Sequence, residues 1–359
     1  MLVSKNNKLM RALLWLPAKL YELGVRLRVV AYETEYLKQT RLDATVISVG
    51  NLTLGGAGKT PMVDYIARYL RSEGHSVAVL TRGYARESSG MRVLKDSEAD
   101  DLSSISYREF GDEPLMLARS LKDVPIVVNK NRSEGGQWAL DKLGSEVLVL
   151  DDGYQHLALA RDLNLLLLDA TDPLGGFEMP PFGRLREPLY GIKRADAVIV
   201  TRADRAFDQA QVHAIIRFHC GEKVPVMYFY SSIASLRHLA SDEVYDVAEL
   251  AGWNVAVACG IGNPVAFTED ILQVGINIVS ESFFADHHPF IQQDLERITR
   301  DARDAGADAI VTTEKDAVRL EGLTHGDIPI YAARLELQSE DEVRLKSLLL
   351  RTVTVRRKR

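Results

Sequence analysis

Cysteine is scarce: two residues, Cys220 and Cys259, stand far apart with no C-x-x-C spacing. That excludes a disulfide framework, argues against zinc, and suits a reducing cytoplasm. No low-complexity tract interrupts the chain, and no apolar run is long enough to span a bilayer. The run "LLWLP" near the start is too short and has no convincing cleavage site after it, so neither a transmembrane helix nor a signal peptide is expected. Positive charge is not in excess either. The formal net charge is -6, so nothing global points to nucleic acid. What remains is an ordinary globular composition, 46% hydrophobic and 26% charged, over 359 residues. That length exceeds what one core usually fills, so two domains are expected.

The opening residues differ from the rest. Residues 1–42 carry Lys5, Lys8, Arg11, Lys19, Arg26, Arg28, Lys38 and Arg41 against Glu22, Glu33 and Glu35. Leu9, Leu13, Leu16 and Leu20 recur at the spacing of one helical stripe. Pro17 predicts a break into two helical pieces. A basic amphipathic helix with Trp15 can lie in a membrane interface or dock on its own domain, and the pattern leaves both open. The closing "RRKR" reads as a solvated tail.

Between these ends, apolar strands alternate with helical patterns. "ATVISV" (44–49), "SVAVL" (76–80), "PIVV" (125–128), "EVLVL" (146–150), "NLLLL" (164–168) and "DAVIV" (196–200) are separated by helices near 60–73, 113–121 and 133–143. Short β-rich runs of this kind specify a parallel sheet with crossover helices, and ligands bind beyond the carboxyl ends of its strands. The Pro- and Gly-rich stretch 170–190 reads as a long functional loop, and 223–250 as an extended connector. A second α/β rhythm then runs through "NVAVACGIG", "NIVSESFF", "DAIVTT" and "IPIYAARL", with helices near 264–274, 289–305 and 339–351.

The chemistry gathers in a few segments. "GNLTLGGAGKTPM" (50–62) sits between a strand and a helix, as a phosphate loop must. The usual pattern has glycine where this chain has Thr53, but Gly55, Gly56 and Gly58, with Ala57 among them, let backbone N–H groups converge on phosphate oxygens. Lys59 would reach the outer phosphates and the Thr60 hydroxyl would ligate Mg²⁺. "EVLVLDDGYQH" ends a strand in Asp151 and Asp152; either can hold the metal, or both can belong to a solvated turn. "FGDEPLML" opens a helix with Asp112 and Glu113, a capping pattern by itself. Kinase chemistry also needs a carboxylate that orients the acceptor hydroxyl and takes its proton. "FFADHHPF" places Asp286 beside His287 and His288, a pattern open to a metal cluster, a general-base pair or a turn; adjacent histidines point different ways, so both binding one metal is not expected. Arg82, Arg132 and Arg186 fall in loops; guanidinium groups suit phosphate, although each arginine taken singly reads as a surface residue.

A nucleotide-switch or metal-insertion GTPase is the alternative class. "VTRAD" (200–204) loosely mimics N-K-x-D and "DDG" mimics D-x-x-G, but Thr201 and Arg202 replace the Asn and Lys. An ArsA- or MinD-like ATPase would want Lys where Leu54 stands. A membrane-binding module with a vestigial nucleotide site is opposed by the intact Lys59-Thr60 and the paired aspartates.

Taken together, "ISVGNLTLGGAGKTP", "LTRGYAR", "GDEPLML", "LDDGYQHLALARDL", "GRLREPL", "VTRAD", "CGIGNPVAF", "FADHHPF" and "TTEKDAVRL", in that order, resemble the lipid A 4'-kinase (tetraacyldisaccharide 4'-kinase) family. The resemblance covers nearly the whole chain. It implies a P-loop NTPase-like parallel sheet domain plus a second, smaller α/β domain, behind an N-terminal amphipathic helical segment. The expected division is 1–42 for the membrane-associating segment, 43–222 for the kinase domain and 223–359 for a C-terminal domain closing over the active site. The implied activity is transfer of the ATP γ-phosphate to the 4'-hydroxyl of a lipid A disaccharide 1-phosphate, with ATP and Mg²⁺ as cofactors.

By the same resemblance Asp112 matches the catalytic aspartate, His287 the histidine acting with it, and Lys59 the loop lysine. Thr60, Asp151 and Asp152 match metal-side residues, with Glu113 beside them, and Arg82, Arg132 and Arg186 match basic substrate-binding positions. The family's N-terminal helix is membrane-associated, which implies peripheral attachment to the cytoplasmic face of the bacterial inner membrane. No obligate protein partner is evident. "EMPPFGRLREP" departs from the more usual "LPAGPLREP", and "NKNR" stands where many members carry an acidic residue before the arginine.

Overall fold

The computed structural model of the chain describes residues 8–95 and 106–357, the side chains of residues 8, 9 and 357 excepted. Lys5 and the last two residues of the basic tail therefore lie outside the described residues, as do the side chains of Lys8 and Leu9. The chain divides into two compact units, each made of several stretches: 1–82, 129–230 and 338–359 in the first, 83–128 and 231–337 in the second.

The first unit opens with helix α1 (Lys8–Glu33), which runs unbroken through Pro17 where the sequence predicted two pieces. Pro17 lies on the exposed side, beside the exposed Leu13 whose helical donor it removes, so that carbonyl is not buried without a partner. Docked residues lie on both sides of it: Ala18 and Val29 are buried, and Arg11, Leu14, Val25 and Tyr32 are half-buried along the same stripe. The opposite stripe, Leu13, Leu16, Leu20, Leu23, Leu27 and Val30, is exposed. The helix thus has two apolar faces, and the unit covers only one of them.

Six parallel strands follow in the spatial order β2-β5-β1-β6-β7-β8. They are β1 (Thr45–Asn51), β2 (Val77–Thr81), β5 (Val147–Asp151), β6 (Leu163–Asp169), β7 (Ala197–Thr201) and β8 (Val226–Tyr228). Every residue of β1, β2, β5, β6 and β7 is buried, which is why these strands read as unbroken apolar runs rather than alternating ones. The helices of this unit are α2 (Lys59–Ser72), α4 (Arg132–Leu143), α5 (Gln209–Cys220) and the terminal α9 (Glu342–Arg357).

The second unit holds an antiparallel pair, β3 (Arg92–Leu94) with β4 (Ile126–Val128), and helix α3 (Asp112–Ser120). Its main sheet has the order β10-β9-β14-β13-β11-β12. The strands are β9 (Tyr230–His238), β10 (Val244–Asp246), β11 (Asn254–Cys259), β12 (Asn277–Phe283), β13 (Ala309–Thr313) and β14 (Ile330–Gln338). Helices α6 (Pro264–Gln273), α7 (Gln292–Asp304) and α8 (Glu314–Leu320) complete it. Two clusters form its core, one around Val255, Val257, Phe267 and Ile271, the other around Leu295, Ile298, Ile310 and Leu320.

The observed division differs from continuous domains at 43–222 and 223–359. Residues 83–128 group with the second unit, and the terminal helix groups with the first. Long-range pairing explains both: the Arg119 guanidinium pairs with Glu321, and the Tyr65 hydroxyl donates to Glu342 at 2.7 Å. The stretch 223–250, read as a connector, contributes β8, β9 and β10.

Candidate active site

Each unit carries a group of the sequence-predicted residues. In the first, they stand at the carboxyl ends of the parallel strands. Helix α2 begins at Lys59 behind Gly58, whose φ of 71° is left-handed. Gly55 has φ 112°, and a Cβ there would stand 2.3 Å from the Arg184 guanidinium. Both positions therefore require glycine. At Gly56 a Cβ would meet nothing within 4 Å, so that part of the loop faces open space.

Thr53, the departure from the usual pattern, is buried and bridges to Leu185 of the 170–190 loop. Leu54 N–H donates to the Arg184 carbonyl at 2.6 Å, and Arg184 returns a bond to the Leu54 carbonyl at 2.7 Å. The residues of "VTRAD" hold the loop from beneath. The Thr201 hydroxyl donates to the Ala57 carbonyl at 3.1 Å, and Arg202 donates to the Gly56 carbonyl at 3.0 Å and pairs with Asp169. Both residues support loop carbonyls instead of reading a base, so the resemblance to a guanine motif ends at the sequence.

Lys59 Nζ donates to Asn51 Oδ1 at 3.3 Å and lies 3.6 Å from Asp152 Oδ1. Arg186 Nη1 reaches both Asp152 oxygens, at 2.8 and 2.7 Å. Burial alone would raise the Asp152 carboxyl, but the charges of Lys59, Arg186 and Arg132 and the Arg186 hydrogen bond prevail, holding it below the usual carboxylate range. Asp151 is buried at the end of β5 and accepts from the Thr81 hydroxyl at 3.2 Å. Thr60 is buried in the first turn of α2.

Arg132 is not a loop residue: it opens α4 and is buried. Burial pushes its guanidinium down, against the pull of Asp151 and Asp152. A cavity of about 510 Å³ is lined by Arg82, Arg132, Asp152, His156 and Arg186 together with Tyr21, Val25 and Arg28 of α1. Among the described residues, neither Arg132 Nε nor Arg186 Nε has a hydrogen-bond partner, although both are buried. Two buried unsatisfied cation donors beside a cavity fit an anionic ligand.

His156, which sequence reasoning left without a role, is held neutral: burial, then the charges of Arg132, Arg161, Arg28 and Arg82, push it down to about 4. A depressed histidine takes up protons first in the unfolded chain, so it removes stability as pH falls from about 6.5 toward 4. His156→Gln is expected to abolish about 1–2 kcal/mol of the stability lost between pH 7 and pH 5, after allowance for solvent screening. Urea titrations at the two pH values would check this; equal losses in variant and wild type would refute it.

The second unit carries Asp112 and His287, 175 positions apart. Asp112 opens α3 behind Gly111, and its Oδ1 accepts from the Glu113 N–H at 2.8 Å. Its Oδ2 lies 2.9 Å from His287 Nδ1. Burial would raise this carboxyl, but the His287 hydrogen bond and the charges of Arg319, Lys315 and His287 hold it well below the usual carboxylate range. His287 sits in the left-handed region at φ 60° and packs on the Tyr84 ring, 5.0 Å between centroids. His288 points elsewhere, to Asp294 at 2.8 Å, with its ring stacked on Phe284. The two adjacent rings thus point different ways, as expected. Glu113, expected near the metal, lies 3.9 Å from Lys315.

The model of the Tetraacyldisaccharide-1-P 4'-kinase family matches residues 10–354 of the chain. The chain belongs to this family. It is 39% identical to the tetraacyldisaccharide 4'-kinase of Geobacter sulfurreducens over 343 residues, covering 95% of this chain and 93% of that one. Against the Geobacter metallireducens enzyme of the same name it is 37% identical over 344 residues, covering 96% and 98%. Among solved structures it is similar to LpxK from Aquifex aeolicus in complex with ATP, with TM-score 0.74, 32% identity, and coverage of 96% and 99%. The kinase is thus an ATP-dependent transferase of lipid A biosynthesis that phosphorylates the lipid A precursor at its 4' position.

Proposed function

We propose that the loop 55–60 carries the triphosphate of ATP with Mg²⁺, and that Asp112 with His287 orients the 4'-hydroxyl of a lipid A disaccharide 1-phosphate. The observation that carries this reading is the Asp112–His287 pair, a buried carboxylate kept anionic and hydrogen-bonded to a half-buried imidazole. The donors on the loop side, the Thr60 hydroxyl with Asp151 and Asp152, are all oxygen, the chemistry a hard cation requires. Thr60, Asp151 and Asp152 would hold such a cation, which would offset the charge that develops during transfer.

The chain's own groups do the rest. Loop N–H groups and the α2 N-terminus face the phosphates, and Lys59 exchanges its contacts with Asn51 and Asp152 for phosphate oxygens. Asp112, hydrogen-bonded to His287, aligns the hydroxyl, and the pair takes up its proton as transfer proceeds. Arg82, Arg132 and Arg186 meet anionic groups of the acceptor or nucleotide in the cavity they line.

No helix among the described residues is long and apolar enough to cross a membrane. The exposed stripe of α1 instead supports peripheral seating on the cytoplasmic face of the inner membrane, with the other side of the same helix lining the cavity. A lipid acceptor held in the bilayer would then lie beside the site.

The test is ³²P transfer from γ-labelled ATP to purified lipid A disaccharide 1-phosphate in detergent micelles. Wild type is expected to label the lipid, and Lys59→Met to lower kcat/KM by about two to three decades. Nucleotide hydrolysis without lipid labelling in the wild type would defeat the reading.

A further inference from the structure

We propose that Lys315 and Arg319, one turn apart on α8, are positioning residues that fix the Asp112–His287 pair in its working arrangement. This rests on the reading just given and extends it to two residues that the sequence showed only as part of "TTEKDAVRL". Both side chains fall on one face of α8, the i, i+4 spacing of a helix.

Arg319 is buried, 3% exposed, and bridges two carboxylates. Its Nη2 pairs with Asp112 Oδ2, and its Nη1 donates to Asp316 Oδ1 at 2.9 Å. Asp316 is itself fixed, its Oδ2 accepting from Gly260 N–H at 2.9 Å and from the Thr313 hydroxyl at 2.8 Å. Arg319 Nη1 also reaches the His288 carbonyl at 3.4 Å, which ties it to the turn that carries His287.

Lys315 Nζ lies 3.1 Å from His287 Nε2 and 3.0 Å from Asp286 Oδ1. An ammonium group can only donate, so Nε2 accepts from Lys315 and the ring proton sits on Nδ1, where the Asp112 carboxylate at 2.9 Å is a nearer partner than the Arg319 guanidinium at 3.4 Å. Lys315 therefore selects the tautomer in which His287 donates to Asp112. Around the pair stand Tyr84, Glu113, Asp286, Asp316, Lys315 and Arg319. A carboxylate has about four acceptor directions. Asp112 Oδ2 uses two, on His287 and Arg319, and Oδ1 uses one on the Glu113 N–H. One direction remains on Oδ1 for the acceptor hydroxyl. Without Arg319 a second rotamer of Asp112 becomes available, and the hydroxyl loses its fixed partner.

The experiment compares full-length wild type, Arg319→Gln, Arg319→Lys, Lys315→Met and Asp112→Asn. It measures lipid phosphorylation, with kcat expressed per nucleotide-binding site, and ¹⁵N-histidine NMR of the ring nitrogens. Arg319→Gln is expected to lower kcat by about 30- to 100-fold with KM for ATP within about twofold, and Arg319→Lys to recover about a tenth or more of the wild-type value. Lys315→Met is expected to lower kcat about tenfold and to move the His287 Nε2 resonance.

Wild-type kcat in Arg319→Gln beside an inactive Asp112→Asn overturns this inference and leaves the kinase reading standing. Activity lost only in proportion to nucleotide-binding sites overturns it as well, since that marks a merely structural residue. A fully active Asp112→Asn instead defeats the reading beneath it. Should Arg319→Gln fail to fold, Lys315→Met decides: wild-type kcat with an unmoved His287 signal refutes the proposal.

Discussion

Asp112→Asn is expected to lower phosphate transfer to the lipid by about two to four decades, the range for removing an acid–base group, while ATP binding persists. Asparagine keeps the volume and an acceptor oxygen for Arg319, so the change removes the anion without opening a cavity. Arg319 retains Asp316 as a counter-charge. The pH dependence follows from the same carboxylate. Its folded pKa lies below the ordinary aspartate value of about 3.9, so the charged form survives as acid is added. The stability it contributes is complete above the unfolded pKa and lost only as pH falls through the lower folded one. On this account the acid limb of the wild-type activity is set by other groups. Steady-state rates for both proteins, with nucleotide binding measured separately, check the expectation. More than a tenth of wild-type turnover in the variant would remove Asp112 from the chemistry.

Replacing Leu13, Leu16 and Leu20 together with serine is expected to weaken binding to anionic vesicles by about three decades or more. Each leucine is more than half exposed, at 66%, 58% and 60%, so the changes scarcely touch the folded unit. Each would contribute about 1.5–3 kcal/mol on entering an apolar layer, and about 1.4 kcal/mol is tenfold in partition. The exposed basic residues Lys19 and Arg26 supply a second attraction of up to about 1 kcal/mol each, reduced by Glu22, with which both pair, and screened by salt. High salt is therefore expected to reduce vesicle binding of the wild type without abolishing it. Co-sedimentation with vesicles measures both effects, and unchanged sedimentation of the triple variant would show that the exposed stripe faces something other than lipid.

Much of this was legible in the sequence because the parallel strands are buried on both faces and announce themselves as apolar runs. The phosphate loop, the paired aspartates after β5 and the Asp112 helix start each fell within a residue or two of their places. What escaped had physical causes. Pro17 interrupts a helix only where the lost hydrogen bond is buried or packing is absent, and neither holds in α1. The short strands β8 and β10 and helix α8 carry too few residues to show a period. Arg319 and Lys315 went without a role beyond the segment "TTEKDAVRL", because seven residues of helix do not reveal which face is covered. Arg132 read as a loop arginine although it is buried, since its partners Asp151 and Asp152 come from a distant strand end. Domain assignment by chain order failed to foresee that 83–128 and 338–359 change sides.

That interleaving bears on how the protein is made. The first unit closes only when α9 arrives, with Glu342 on the Tyr65 hydroxyl, Asp341 accepting from the Tyr228 N–H at 2.9 Å, and Arg356 on the Leu42 carbonyl at 2.7 Å. Residues 338–357 must therefore be in place before the nucleotide half can finish folding, while 231–337 is made before them and is free to assemble with 83–128 first. Vectorial synthesis then completes the later-encoded half before the earlier one, and a nascent chain stalled near residue 337 leaves Leu42, Tyr65 and Tyr228 without these partners.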